Sequence, residues 1–98
     1  MKLTKTQLKY LRNLAHKLKP VVWLGQQGLT DNVLAEIEAA LLHHELIKIK
    51  LRLDDRELRD SIIDDICTRT RSENIQKIGN ILCLYRRKKK DSVFTLPK

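Results

Sequence analysis

The chain predicts a two-layer α/β fold: a four-stranded mixed sheet with three helices largely on one face, in the order α-β-α-β-α-β-β. Three observations lead there. Apolar residues recur at every third or fourth position in three stretches of helical length. Four short runs rich in Val, Ile and Leu lie between and after those stretches, and one of them alternates strictly with cations. The 98 residues are the length of a single domain, 1–98, with a basic tail over 87–98. A chain of that size buries roughly 60–70% of the surface its unfolded form exposes, enough for one core but not for a deep walled cavity.

Each element follows from local chemistry. Leu8, Leu11, Leu14, Ala15 and Leu18 form one helical stripe from Thr4 to about Leu18, with Thr4 and Gln7 spaced for a capping box and Pro20 beyond the end. Lys2, Lys5, Lys9, Arg12, His16 and Lys19 step along the other side. Val21-Val22-Trp23-Leu24, bounded by Pro20 and Gly25, suits a buried strand and makes Trp23 a core residue. After Gly25-Gln26-Gln27-Gly28, Thr30 is spaced as an N-cap, and Val33, Ile37, Ala40, Leu41 and His44 mark a helix face ending near His44.

Along Leu46–Leu53, Ile47, Ile49, Leu51 and Leu53 point one way and Lys48, Lys50 and Arg52 the other. A strand covered on both sides would not carry three cations, so the sheet face away from the helices is expected to be open to water. Asp54 or Asp55 caps a third helix, with Leu58, Ile62, Ile66 and Thr70 on one face and Ile63 and Cys67 alongside. Asn74–Ile78 and Ile81–Tyr85 flank Gly79-Asn80, a two-residue hairpin turn. The tail is charged and then briefly apolar at Val93, Phe94 and Leu96.

Lys and Arg number 20 against 12 for Asp and Glu, a net charge of +8, and the two signs are segregated. The first helix, the strand Leu46–Leu53 and the run Arg86-Arg87-Lys88-Lys89-Lys90 carry cations and no acid. Most acids lie in the second helix, at Asp31, Glu36, Glu38 and Glu45, or in and before the third, at Asp54, Asp55, Glu57, Asp60, Asp64 and Asp65. Such a charge dipole concentrates a polyanion at one side. No apolar run approaches the ~20 residues of a membrane helix, and the N-terminus has no secretory signal pattern. The two cysteines, Cys67 and Cys83, lack metal-ligand spacing and read as small core residues in a reducing compartment, which predicts a cytoplasmic protein. His43-His44-Glu45 places adjacent histidines about 100° apart on a helix, the wrong geometry for chelation. No nucleophile motif or paired general acid and base is present, so the expectation is a protein without catalytic residues, cofactor, metal or small-molecule substrate.

The segment Gly25-Gln26-Gln27-Gly28 stands between a strand and a helix start. Glycines there allow a sharp turn and close approach of a ligand to main-chain N–H groups, and the first amides of the next helix favour an anion. A plain turn that needs two glycines for its own geometry is the competing reading. The pattern is neither a Walker loop nor a dinucleotide fingerprint.

Several blocks stand out together: Leu14-Ala15-His16, Lys19-Pro20-Val21-Val22, Leu24 to Thr30, Val33 to Glu38, His43 to Lys48, Asp55-Arg56-Glu57, Ile78-Gly79 and Leu84-Tyr85-Arg86. In this order they resemble the CRM (chloroplast RNA splicing and ribosome maturation) domain family, particularly its stand-alone bacterial YhbY-like members. The resemblance covers nearly the whole chain. It implies an RNA-binding domain with a fold similar to the C-terminal domain of translation initiation factor three, partnered in bacteria with ribosomal RNA in large-subunit precursors. It puts the RNA loop at Gly25 to Gly28 and the basic helix at Lys5, Lys9 and Arg12. The chain departs from the family pattern at Arg87, where relatives often have Pro, and at Gln26-Gln27, where smaller polar residues are common.

The expected RNA-binding residues are therefore Gly25, Gln26, Gln27, Gly28, Thr30, Lys2, Lys5, Lys9, Arg12, Lys19, Lys48, Lys50, Arg52, Arg86 and Arg87, in a monomer. Few aromatics are available for base stacking, so phosphate contacts are expected to dominate. A second reading is a protein-interaction module that docks its acidic helices on a ribosomal protein or assembly factor. A third, peripheral membrane binding through Arg86–Lys90 and the apolar residues after them, is disfavoured because the cations are spread over three elements.

Overall fold

The computed structural model describes residues 2–90, 92 and 94–97; Val93 lies outside them. The elements run α1 (Lys5–Ala15), β1 (Pro20–Leu24), α2 (Asp31–His44), β2 (Leu46–Leu51), α3 (Arg56–Thr70), β3 (Glu73–Ile78) and β4 (Ile81–Tyr85). The strands form a four-stranded mixed sheet in the order β1-β2-β4-β3. β1 and β2 are parallel, and β4 is antiparallel to both its neighbours, so β3 and β4 make the expected hairpin at the far edge. Gly79, with φ of 55°, supplies the positive dihedral that such tight hairpins need.

The helix starts are those the sequence specifies. The Thr4 hydroxyl accepts from the Gln7 amide while the Gln7 side chain accepts from the Thr4 amide, a complete capping box. Thr30 Oγ1 accepts from the Val33 amide, and Asp55, rather than Asp54, caps α3 through Glu57 and Leu58. α1 stops at Ala15, so Leu18 falls in the following turn and is exposed instead of completing the leucine stripe.

Alternation in the strands sorts the interior into two clusters. Val22, Leu24, Ile47, Ile49, Leu51, Leu82 and Leu84 face one way and pack on Ile37 and Leu41 of α2 and Ile63 and Ile66 of α3. Leu46, Ile75, Cys83 and Tyr85 face the other way and are covered by Leu11 and Ala15 of α1, with Phe94 and Leu96 of the tail beside them. Two of the three helices thus share a face, and α1 crosses the opposite one. The expectation that this second face is open to water holds only for the half beyond α1. The reason is that the leucine stripe of α1 must be buried somewhere, and α2 and α3 already fill the first face.

The tail folds back. Buried Glu45, at φ 64°, caps α2, and its carboxylate accepts from the Lys88 amide at 2.7 Å and from the Ser92 hydroxyl at 3.0 Å. Gln7 donates to the Pro97 carbonyl at 3.0 Å. No described helix is long and apolar enough to cross a membrane.

Candidate nucleic-acid interface

The turn after β1 is built by one hydrogen bond, from the Gly28 amide to the Gly25 carbonyl at 2.9 Å, with the Thr30 amide donating to the Gly28 carbonyl at 3.1 Å. The side chains of Gln26 and Gln27 are exposed, and their main-chain amides donate to nothing among the described residues. The two glycines differ. Gly28 has φ of 77°, a region L-residues rarely adopt, so the turn itself requires glycine there. Gly25 has no such dihedral, and a Cβ at that position would meet nothing within 4 Å. The turn's own geometry therefore accounts for one glycine and not the other. An open Gly25 is a place where a partner's atoms can approach the backbone.

Two bonds join this turn to the basic strand. The Arg52 amide donates to the Leu24 carbonyl at 2.7 Å, and Gln26 Nε2 donates to the Arg52 carbonyl at 3.4 Å. The loop and the exposed Arg52 are thus side by side. Behind them lies the uncovered half of the second sheet face. Strand register sets its rows: Trp23 of β1, Lys50 of β2, Ile81 of β4 and Ile78 of β3 are successive neighbours, and Lys48, Cys83 and Gln76 form the next row toward α1. A shallow groove of about 290 Å³, lined by Lys48, Gln76, Ile78, Ile81, Cys83 and the end of α1 at Ala15 and His16, lies over the second row and the Ile81–Ile78 end of the first. Its volume is at the bottom of the ~300–1,000 Å³ range of small-molecule sites. Burial pushes the Cys83 thiol above its ordinary pKa, and the neighbouring Lys48 cation opposes that shift.

Trp23 is half exposed, at 50%, contrary to its expected place in the core. The apolar run of β1 conceals a strand alternation: Val22 and Leu24 are buried, while Val21 and Trp23 project onto the other face of an edge strand. His44 likewise is exposed, edge-on to His43 with ring centroids 5.2 Å apart.

The remaining predicted residues divide. Lys2, Lys5, Lys9, Lys19 and Arg87 are exposed cations. Arg12 is exposed too, yet its Nε donates to the Ile75 carbonyl at 3.3 Å, which holds it over β3. Thr30 is spent as the cap of α2. Arg86 leaves the candidate interface. It is half buried, and its Nη1 donates to both Glu38 carboxylate oxygens at 2.9 and 3.0 Å and to the Thr70 carbonyl at 2.7 Å. It thereby links β4 to α2 and α3, a partnership across 48 residues to Glu38 that no local pattern reveals. Among the described residues no group of three or more His, Cys, Asp and Glu could hold a metal ion.

Residues 3–86 match the model of the CRS1 / YhbY (CRM) domain. Among curated proteins, the chain is 54% identical over 84 residues to an RNA-binding protein of Haemophilus influenzae, covering 86% of this chain and 85% of the relative. It is 44% identical over 90 residues to a probable RNA-binding protein of Pseudomonas aeruginosa, covering 92% and 86% of the two chains. A probable RNA-binding protein of Bacillus subtilis is 34% identical over 95 residues, covering 97% and 99%. The solution structure of a hypothetical protein from Staphylococcus aureus superposes with a TM-score of 0.83 at 32% identity, covering 98% of this chain and all of the other.

Proposed function

The chain belongs to the CRS1 / YhbY (CRM) domain family, and on that premise we propose that it is an RNA-binding protein, not an enzyme, gripping RNA with the Gly25–Gly28 turn and the cations beside it. The observation that carries this reading is the junction of an open turn, whose exposed Gln26 and Gln27 have main-chain amides with no hydrogen-bond partner among the described residues, with Arg52, Lys50 and Lys48 on an uncovered sheet face. Phosphate oxygens accept from such amides, and the lysines and arginine neutralise the charge that follows along the strand. α1 extends the same sign with Lys5 and Lys9.

The finer proposal is that the RNA is ribosomal, in precursors of the large subunit, and that the protein acts in the cytoplasm as a monomer. What supports the ribosomal part is the resemblance of the sequence blocks to stand-alone bacterial YhbY-like proteins, which implies that partner. Sucrose-gradient sedimentation of cell extracts tests it. The protein should travel with large-subunit precursors and leave those fractions after ribonuclease treatment. If it stays at the top of the gradient in every condition, the ribosomal assignment fails. The acidic residues Asp31, Glu36, Asp60 and Asp64, exposed on α2 and α3, favour the second reading of docking on a basic protein. A partner retained after complete RNA digestion is its signature.

RNA binding itself is tested by anisotropy of a labelled RNA across salt concentrations. Log affinity should fall linearly with log salt, by about 0.7–0.9 per phosphate engaged. A flat response removes the phosphate-contact mechanism.

A further inference from the structure

The uncovered half-face carries a feature that phosphate binding does not use. Trp23, 50% exposed, and Ile78, 59% exposed, stand at the two ends of one row, with Lys50 and Ile81 between them. Three strand spacings of about 4.8 Å make that row roughly 14 Å long. We infer that this row is a seat for unpaired bases of single-stranded RNA, with the Trp23 indole as the stacking surface and Lys50 and Lys48 holding the adjoining phosphates. The inference rests on the RNA-binding reading above and narrows it to a strand whose bases are unstacked.

Charge decides the occupant. Apolar residues left on the two opposite edge strands could in principle mate with a second copy of the same face. Here a two-fold pairing would bring Lys48, Lys50 and Arg52 against their own counterparts, and like charges in an interface cost affinity. An anionic chain carrying flat apolar bases suits both features at once. Its backbone meets the cations and the open turn, and a base covers the indole. A uniform duplex cannot do this, since its bases are already stacked on one another and paired.

Trp23 is the single tryptophan of the chain, so its fluorescence reports this one place. The test titrates the intact protein with a single-stranded oligouridine and with a fully paired, blunt RNA duplex, reading both tryptophan emission and the anisotropy of labelled RNA. Oligouridine should quench the emission and the duplex should not. Trp23→Ala should weaken oligouridine binding by roughly five- to one-hundred-fold, Trp23→Phe should keep most of the affinity, and duplex binding should not change. If the alanine variant proves unstable, Trp23→Leu, which keeps apolar bulk without a ring to stack on, takes its place and should show the same loss. Oligouridine bound with unaltered emission, or with equal affinity by Trp23→Ala, overturns the stacking inference and leaves phosphate binding standing. If neither RNA binds the unaltered protein, the RNA-binding reading falls and takes this inference with it.

Discussion

On one face of the sheet, Ile47, Ile49 and Leu51 lie sealed beneath α2 and α3. One residue away along the same strand, Lys48 and Lys50 emerge on the other face beyond the end of α1. A single alternating hexapeptide therefore supplies both the anchor of the main core and the centre of the candidate RNA surface. The difference teaches which substitutions speak to folding and which to binding. Side chains under α2 and α3 should change stability alone. The projecting side chains of the uncovered half, Trp23, Lys48 and Lys50, should change affinity alone. The turn that borders both should divide between its two glycines.

The largest effect should come from Ile49→Ala. Removing a fully buried aliphatic side chain from the covered face should cost about 2–5 kcal/mol in denaturant unfolding. The protein that remains folded should bind RNA as before. A comparable loss from Lys50→Ala, measured in the same way, would break the contrast between faces.

Next in size is Gly28→Ala, which forces an L-residue to φ 77° and should destabilise by about 1–2 kcal/mol. Arg86→Ala belongs to the same tier. Losing the links to Glu38 and the Thr70 carbonyl should cost about 1–2 kcal/mol, reduced because Glu38 is partly in water. Neither substitution should alter the salt slope of RNA binding. An altered slope for Arg86→Ala would return that residue to the interface.

The smallest stability effects sharpen the comparison most. Gly25→Ala enters open space and should shift unfolding by no more than about 0.5 kcal/mol. It should nonetheless weaken RNA binding, because the added methyl stands where the phosphate approaches. Unchanged affinity would leave the turn as mere connection. Lys48→Ala and Lys50→Ala should each lower the salt slope by about 0.7–0.9 with the fold intact.

The pH dependence follows from three protons that the fold shields from water, two of them buried and that of Cys67 half-buried. Burial raises the pKa of the Cys67 and Cys83 thiols above 9.0, and burial together with the Glu45 carboxylate raises the Tyr85 phenol above 10.0. All three are held neutral by the fold more strongly than by the unfolded chain. Their contribution is therefore complete below about pH 9 and is lost as pH climbs through the raised values. Unfolding midpoints at about pH 8 and pH 10.5 should show the decline, and Cys83→Ala should lessen it. A midpoint that rises with pH would contradict the sign.

Much of this was legible in the residues. The capping box of Thr4 and Gln7, the cap at Thr30, the alternation of β2 and the Gly79-Asn80 turn are short-range patterns, and each formed as its chemistry requires. The GxxG turn and its basic surroundings were visible for the same reason. What was hidden is long-range. The stripe of α1 says that the helix is amphipathic but not which face of the sheet will receive it. Arg86 is a cation like any other until Glu38 is brought beside it. Trp23 lies in four consecutive apolar residues, where alternation cannot be seen, and its ring stays uncovered because it points to the half-face that α1 leaves open, on an edge strand. The signal that would have found it is the cation row of β2, since the strand next to a wet face must present something to that face as well.

The bond from the Arg52 amide to the Leu24 carbonyl reaches beyond local geometry. It fastens the exit of β1 to the exit of β2, so the backbone of the turn, of the tryptophan before it and of the arginine beside it is tied to the sheet. Their mutual spacing is set when the chain folds, and a ligand meets it ready-made. The entropy of association then falls almost wholly on the RNA. Strands already held slack by neighbouring helices, such as loops and junctions, should bind this protein better than free oligonucleotides of identical sequence.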